Sequence, residues 1–401
     1  MSSNLATVLG CLTNGPASRA ELARNTGLTK ATVSSLVGEL VALGLVRDTP
    51  DSVRGPTGRP ATLVSVSGDH TAAIGLEVNV DYLAAGAVDL EGRLTHDRLV
   101  PADCGRASPT STIGRLASMG AAVSRALSTE QRRLVGVVVA VPGLVSQPDG
   151  RVLTAPNLGW SEVALHDQLT DLMARRGVEI DADRIWVDNE ANLAALAHVR
   201  AMRQQSIRSF LVVSGGVGVG AGVVSDGKLF RGSHGFGGEL GHFVVEPGGR
   251  RCRCGNHGCL ETIAGETSLR RLAGPRRRVD TPWLDAVAHR ARSGDGRVLS
   301  GLGRVGQALA VALSAAVNLL DPEAIVLGGC FAALAPWLEP TLRDSLGKQV
   351  MGYRWAPTAV LASEIGRSAA VVGAGQLALA ELVADPAAMS TGLRVHRSST
   401  G

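Results

Sequence analysis

A chain of 401 residues is too long for a single hydrophobic core and implies two or three domains. Apolar residues make up 45% and aromatics 3%, so the cores must be built from Ala, Val and Leu, and the 50 glycines imply many tight turns. A net charge of +4 confines any basic surface to a local patch; without ~18 uninterrupted apolar residues or a basic, then apolar, N-terminus, neither a membrane span nor a signal peptide is expected, and the setting fits the cytoplasm.

Leu5, Val8, Leu9 and Leu12 recur at helical spacing and give one apolar stripe. Ser18, with Glu21 three residues on, is a capping box that opens a second helix over 19–25, and Thr26 and Gly27 end it with a turn. Thr29 can cap a third helix. Its buried face is Val33, Leu36, Val37 and Leu40; its other face shows Lys30, Thr32, Ser34 and Ser35, polar groups able to approach base edges and phosphates. Gly44 stops that helix. Two short helices across a glycine turn make a helix-turn-helix. Residues 45–47 and 62–66 read as strands. The Gly/Pro-rich stretch 48–61 between them carries Arg54 and Arg59, as a wing does whose arginines enter a minor groove. Residues 1–66 are therefore expected to be a winged helix-turn-helix that reads double-stranded DNA. A small protein-binding helical domain is the rival; six basic against four acidic residues separate the two weakly, and the helix-turn-helix-wing order separates them better.

From about residue 71 strands and helices alternate. Strands are expected over 71–78, 82–90, 92–100, 134–141 and 184–187, with helices over 110–127, 161–176 and 190–203. A second series has strands over 210–213 and 221–224, a helix over 305–320, a strand over 324–327 and a last helix over 368–383. Such alternation implies layered α/β domains. The basic run of Arg270, Arg271, Arg276, Arg277 and Arg278 reads as a solvated face, and 385–401 as a disordered tail.

Residues 237–261 hold His242, Cys252, Cys254 and Cys259, spaced H-x9-C-x-C-x4-C. Clustered thiolates with one imidazole suit a tetrahedral zinc site. His257 could replace His242, though it lies in the tight turn between Cys254 and Cys259. Free thiols or a disulfide are the alternative, which a reducing setting disfavours. With all four positions filled by protein the zinc would be structural. Glu239 and Glu261 bracket the ligands.

With this loop, VDNEAN at 187–192 and IVLGG at 325–329, the chain resembles the ROK family over about residues 1–384. That family joins sugar kinases and sugar-responsive repressors. The resemblance implies an α/β, two-lobed actin-like (ribonuclease H-like) body behind the winged helix. Its first lobe would be 71–190, completed by 368–384, and its second lobe, with the zinc loop, 191–366. Gly238-Glu239-Leu240-Gly241-His242 matches the family's pattern before the metal. Glu239 would then bind a sugar hydroxyl, as would Glu261, and His242 would ligate zinc with one nitrogen and face the sugar with its other side. Asn189 and Glu190 stand where the family has Asn-Asp, a pocket amide and the catalytic base, and Asn157 matches a sugar-binding asparagine with Trp160 behind it. Amides and paired carboxylates suit a ring of hydroxyls; the two glutamates could equally support zinc ligands, and Asn157 could be a turn residue.

The family's kinases carry D-x-G-G-T after the first strand; here Glu77-Val78-Asn79-Val80-Asp81 has lost both glycines and the threonine. The Gly-rich run 214–220 and Gly328-Gly329 are better kept, yet also suit a hairpin and a strand-to-helix bend. The base position Glu190 is one methylene longer than Asp, a displacement that can cost ~10²-fold. The resemblance thus implies no catalytic residues at work. It implies a repressor that binds an operator as a homodimer or homotetramer, answers a sugar or sugar phosphate, and has no membrane partner. The alternative is a DNA-tethered, ATP-dependent sugar kinase of the glucokinase type.

Overall fold

The structure, a computed structural model, describes residues 2–54, 60–147, 149–274 and 282–387, with backbone alone for residues 2, 3, 50–54, 60 and 61. The expected tail beyond 387 and Arg276–278 lie outside the described residues.

The N-terminal module follows its local signals. Helix α1 (Ser2–Leu12) is followed by a short strand β1 (Ala17–Ser18) and by α2 (Arg19–Thr26), which opens on the reciprocal Ser18–Glu21 capping box. Gly27, at φ 71°, makes the left-handed turn into α3 (Lys30–Ala42), where Thr29 accepts a hydrogen bond from the Thr32 N–H. Val33, Leu36, Val37 and Leu40 are buried. Strands β2 (Val46–Arg54) and β3 (Pro60–Val66) pair antiparallel, and β1 pairs with the other edge of β3. Both hairpin strands run further than the predicted 45–47 and 62–66, because much of the stretch read as loop is ladder.

The body begins with an antiparallel meander of β4 (Thr71–Val78), β5 (Tyr82–Asp89) and β6 (Leu94–Pro101). Helix α4 (Pro109–Thr129) leads to β7 (Arg133–Val141), parallel to β4. A small three-stranded sheet follows, of β8 (Leu144–Val145), β9 (Val152–Ala155) and β10 (Trp160–Val163). The predicted helix over 161–176 is corrected here. Residues 161–163 are strand, with Trp160 and Val163 buried and Glu162 at φ 50°, and helix α5 spans only Leu165–Ala174. Strand β11 (Ile185–Asn189) closes the sheet in the order β11-β7-β4-β5-β6 and runs straight into α6 (Glu190–Gln204).

The second half repeats the plan. Strands β12 (Phe210–Gly215), β13 (Val219–Ser225) and β14 (Lys228–Phe230) form a meander. The Cys-rich loop follows, then α7 (Glu261–Ala264), α8 (Glu266–Leu272), α9 (Trp283–Arg292) and α10 (Gly296–Leu320). Strand β15 (Ala324–Gly329), α11 (Cys330–Gln349), β16 (Ala359–Ala362) and α12 (Ala369–Ala384) complete the chain. The sheet order is β14-β13-β12-β15-β16, with β15 and β16 parallel to β12. Each sheet is thus a three-strand meander extended by two parallel strands, and the doubled pattern is that of an actin-like, two-lobed α/β body. Helices α10 and 366–384 are long and apolar enough to span a bilayer by composition, though neither holds an uninterrupted apolar run of ~18 residues. At least half of each apolar window is buried within the protein.

Helix α6 lies between the halves, packed on α12 and on β13. Two glycines permit this: a Cβ on Gly373 would lie 1.7 Å from the Leu193 carbonyl oxygen, and one on Gly222 would lie 2.4 Å from that of Ala191. Helix α12 also covers β4, β5 and β7. Its outer side packs on α1, so Leu5, Val8 and Leu9 share one core with Leu379 and Leu382. The N-terminal module is joined to the body by apolar packing as well as by chain.

Candidate ligand cleft, metal cluster and nucleic-acid face

A cleft of about 1310 Å³ opens between the two sheets, lined by the ends of β4, β11, β12 and β13 and by the loops after them. Asn157, Asn189, Glu190, Glu239, His242 and Glu261, widely spread in sequence, all line it. Asn157 lies between β9 and β10. Asn189 ends β11, where its side chain caps α6 by accepting from the N–H groups of Ala191 (2.8 Å) and Asn192 (3.3 Å) and donates to the Gly143 carbonyl (3.0 Å). Most of its capacity therefore goes to fixing the start of α6, the residue that follows being Glu190. A Cβ on Gly218, in the β12–β13 hairpin, would come within 2.7 Å of Glu261 Oε2 and 3.0 Å of Asn157 Nδ2, so hairpin, acid and amide converge at one point. Glu239 stands 39% exposed at the mouth, with its Oε2 3.7 Å from His242 Nε2. Its pKa is raised, first by desolvation and then by Glu261, with His242 acting the other way.

The floor holds two acids. Glu77, next to last in β4, is 2% exposed and has its pKa pushed up to about 7 by burial, against hydrogen bonds from Tyr82 and Asn79. Those bonds reach its Oε1, from the Tyr82 hydroxyl at 2.6 Å and from Asn79 Nδ2 at 3.4 Å. Glu190 is pushed up to about 8, first by burial and then by the charges of Glu77 and Glu239. Among the described residues, Oε2 of each acid is buried without a hydrogen-bond partner. Glu77, within the stretch 77–81 that matches a degraded phosphate loop, and Tyr82 are cleft residues that the sequence pattern does not single out. The available signal was one carboxylate near the end of the otherwise apolar strand TAAIGLEV.

Two N–H groups of that turn are spent internally. Asn79 N donates to the Tyr82 carbonyl (2.9 Å) and Val80 N to Asn79 Oδ1 (2.7 Å); in the facing hairpin Gly216 N donates to the Gly218 carbonyl (2.9 Å). Arg270 lines the cleft as well, paired with Glu266 and lying over Trp283, and both it and Arg271 are exposed, as a solvated face requires.

The ligand atoms of His242, Cys252, Cys254 and Cys259 lie within 4.8 Å of one another. Cys254 Sγ and Cys259 Sγ are 3.8 Å apart, as are Cys252 Sγ and His242 Nδ1. A tetrahedron with metal–sulfur bonds of about 2.3 Å has edges of about 3.8 Å. The group can therefore take a tetrahedral ion with little movement; His257 is outside it. His242 turns Nδ1 toward Cys252 and Nε2 toward Glu239. Burial, and a Glu261 oxygen 2.8 Å from its sulfur, raise the Cys252 pKa. Asp188, 2% exposed, is paired with Arg231 after β14, a link between the two halves, and His198 Nε2 lies 2.7 Å from Ser363 Oγ, tying α6 to the loop after β16. Burial lowers the His198 pKa.

On the N-terminal module Thr29, Lys30, Thr32, Ser34 and Ser35 are exposed on the side of α3 away from the buried face. Arg59 and the Arg54 side chain lie outside the described residues. Arg19 is paired with Asp48 at 2.9 Å, and Arg47 with Asp69 and Glu91 at 3.1 and 2.7 Å.

The sequence profile of the ROK family matches residues 73–381, and that of the IclR helix-turn-helix domain matches residues 3–50. The chain is 27% identical over 369 residues to the xylose repressor of Bacillus subtilis, covering 92% of each chain. It is 26% identical over 369 residues to the DNA-binding transcriptional dual regulator NagC of Escherichia coli, covering 89% of this chain and 87% of that one. Among solved structures, a ROK family transcriptional regulator homologous to the E. coli MLC protein superposes with a TM-score of 0.76 at 24% identity, over 96% of this chain and 97% of the other. A ROK family glucokinase from Streptomyces griseus, in complex with glucose and AMPPNP, superposes with a TM-score of 0.63 at 27% identity, over 76% of this chain and 98% of that one.

Proposed function

Because this chain belongs to the ROK family and carries an IclR-type helix-turn-helix ahead of the family body, we propose that it is a sugar-responsive transcriptional repressor. Residues 1–66 read a double-stranded operator through Thr29, Lys30, Thr32, Ser34 and Ser35, with Arg54 and Arg59 on the wing. The body, 71–190 with 368–384 facing 191–366, senses the sugar. The observation that carries this reading is the convergence of Asn157, Glu239, His242 and Glu261 on one cleft, in a molecule whose N-terminal module shares a core with α12. Relatives named as repressors for xylose and N-acetylglucosamine support the effector class.

The effector draws the two halves together around Asn157, Glu190, Glu239 and Glu261, with Asn189 holding Glu190 in place. Because α1 packs on α12, movement of the body carries the reader with it and changes the spacing of two readers in a homodimer or homotetramer. The sugar must bind the two arrangements with different affinity for this to work. Zinc held by His242, Cys252, Cys254 and Cys259 has a structural role. It ties the loop bearing Glu239 to the start of α7 bearing Glu261, and takes part in no reaction.

The rival is a DNA-tethered sugar kinase. The spent N–H groups at Asn79 and Val80 stand against it, since phosphoryl transfer needs donors around the phosphates. A coupled ATPase assay with a hexose and pentose panel decides: turnover no higher than the sugar-free background supports the regulator, and sugar-dependent turnover supports the kinase.

A further inference from the structure

We infer that the cleft takes an unphosphorylated sugar, neutral or amine-bearing, and turns away its phosphate ester, with Glu77 and Glu190 as the discriminating residues; this rests on the sugar-sensing reading above. A phosphate group is held by convergent backbone N–H groups or by unpaired cations. At the end of β4 two of the turn's N–H groups are already engaged. The Asn79 and Val80 N–H groups are closed onto the Tyr82 carbonyl and the Asn79 side chain, at 2.9 and 2.7 Å. Of the arginines that line the cleft, Arg270 is engaged by Glu266 and Arg290 by Asp295, the latter at 2.6 Å, while Arg367, just before α12 and away from the β4 turn in sequence, has no ion pair among the described residues.

What the floor presents instead is acceptors. Glu77 is 2% exposed and anchored through Oε1 by Tyr82 and Asn79, which leaves Oε2 buried and unpartnered. Glu190 Oε2 is in the same condition, on the first turn of α6. A buried acceptor without a donor destabilises the protein until something supplies one. A sugar hydroxyl supplies one neutral donor, and an ammonium group supplies donors and charge. A phosphate dianion supplies none and, above about pH 8 where Glu77 and Glu190 are both ionised, brings like charge against both acids, so parent and ester are compared above that pH. Discrimination of this sort comes from the repulsive element as much as from the attractive one.

The test is calorimetric titration of the full chain with matched pairs of ligands: xylose, glucose, glucosamine and N-acetylglucosamine, each beside its terminal phosphate ester, and inorganic phosphate alone. At least one parent sugar binds, and its ester binds about tenfold more weakly or worse, as like charges across a contact require. Two variants probe the cause by different routes. Glu77→Gln with Glu190→Gln removes the charge and narrows the ratio of parent to ester. Asn79→Gly keeps the charges, frees the Val80 N–H, and narrows the same ratio. A sugar phosphate that binds the unaltered chain as tightly as its parent overturns the inference and leaves sugar sensing intact. Silence with every sugar and every ester overturns both.

Discussion

The carboxylate of Glu261 lies 2.8 Å from the sulfur of Cys252, so one wall of the cleft is tied directly to the metal cluster. Metal binding in such loops is part of the folding free energy. Cys254→Ser should therefore release zinc, lower the melting temperature and weaken effector binding by about tenfold or more. Elemental analysis beside calorimetry checks this, and full sugar affinity in metal-free protein would remove the clamp from the account.

Glu77 and Glu190 give stability a defined slope with pH. Both carboxyls are held above their ordinary value of 4.5, at about 7 and about 8, chiefly by burial. The folded state then holds protons that the unfolded state has released. Whatever favours folding below pH 4.5 is progressively lost as pH rises through 7 and 8, and is not lost on acidification. For Glu77 the span corresponds to roughly 3 kcal/mol. Melting temperatures of the zinc-loaded chain should fall across that window, and the fall should be shallower in Glu77→Gln. Equal slopes in the two proteins would contradict the assignment.

Lys30 is exposed on the reading face of α3, and Arg59 is the wing's candidate phosphate-binding residue. Replacing either by Ala should weaken operator affinity and reduce the salt slope by about one unit for each phosphate that is no longer neutralised. Affinity measured across a salt series separates this from readout of a base edge, whose removal would lower affinity at an unchanged slope.

Leu9 is fully buried in the core that joins α1 to α12. Leu9→Ala should cost about 2–5 kcal/mol, as cavity-forming changes do. Deleting residues 1–66 should also destabilise the body, since it uncovers Leu379 and Leu382. Denaturant midpoints test both; an undisturbed body after the deletion would mean that the two parts move independently.

The N-terminal module was legible because its signals are local. The Ser18–Glu21 box, the Thr29 cap and the 33/36/37/40 stripe each act within one or two turns, and all three are present. The metal cluster was legible for the same reason, its ligands lying close in sequence. Helix α11 was not: it carries Pro336 and Pro340 in its interior, where proline ordinarily breaks a helix. Strands β8 to β10 are too short for an alternating pattern, and Ser161 and Glu162, exposed between two buried residues, passed as the start of a helix. In the cleft, the roles of Glu77 and Tyr82 depend on Glu190 coming within electrostatic reach of Glu77 from more than a hundred residues away, which no local spacing reveals.

The most direct test is fluorescence anisotropy on an operator selected in vitro by the chain itself, with and without each unphosphorylated sugar. The account predicts that at least one sugar weakens DNA binding by about tenfold or more, and that Glu261→Gln abolishes this response while leaving sugar-free DNA affinity unchanged. DNA affinity indifferent to every sugar, or a response that persists undiminished in Glu261→Gln, would contradict it.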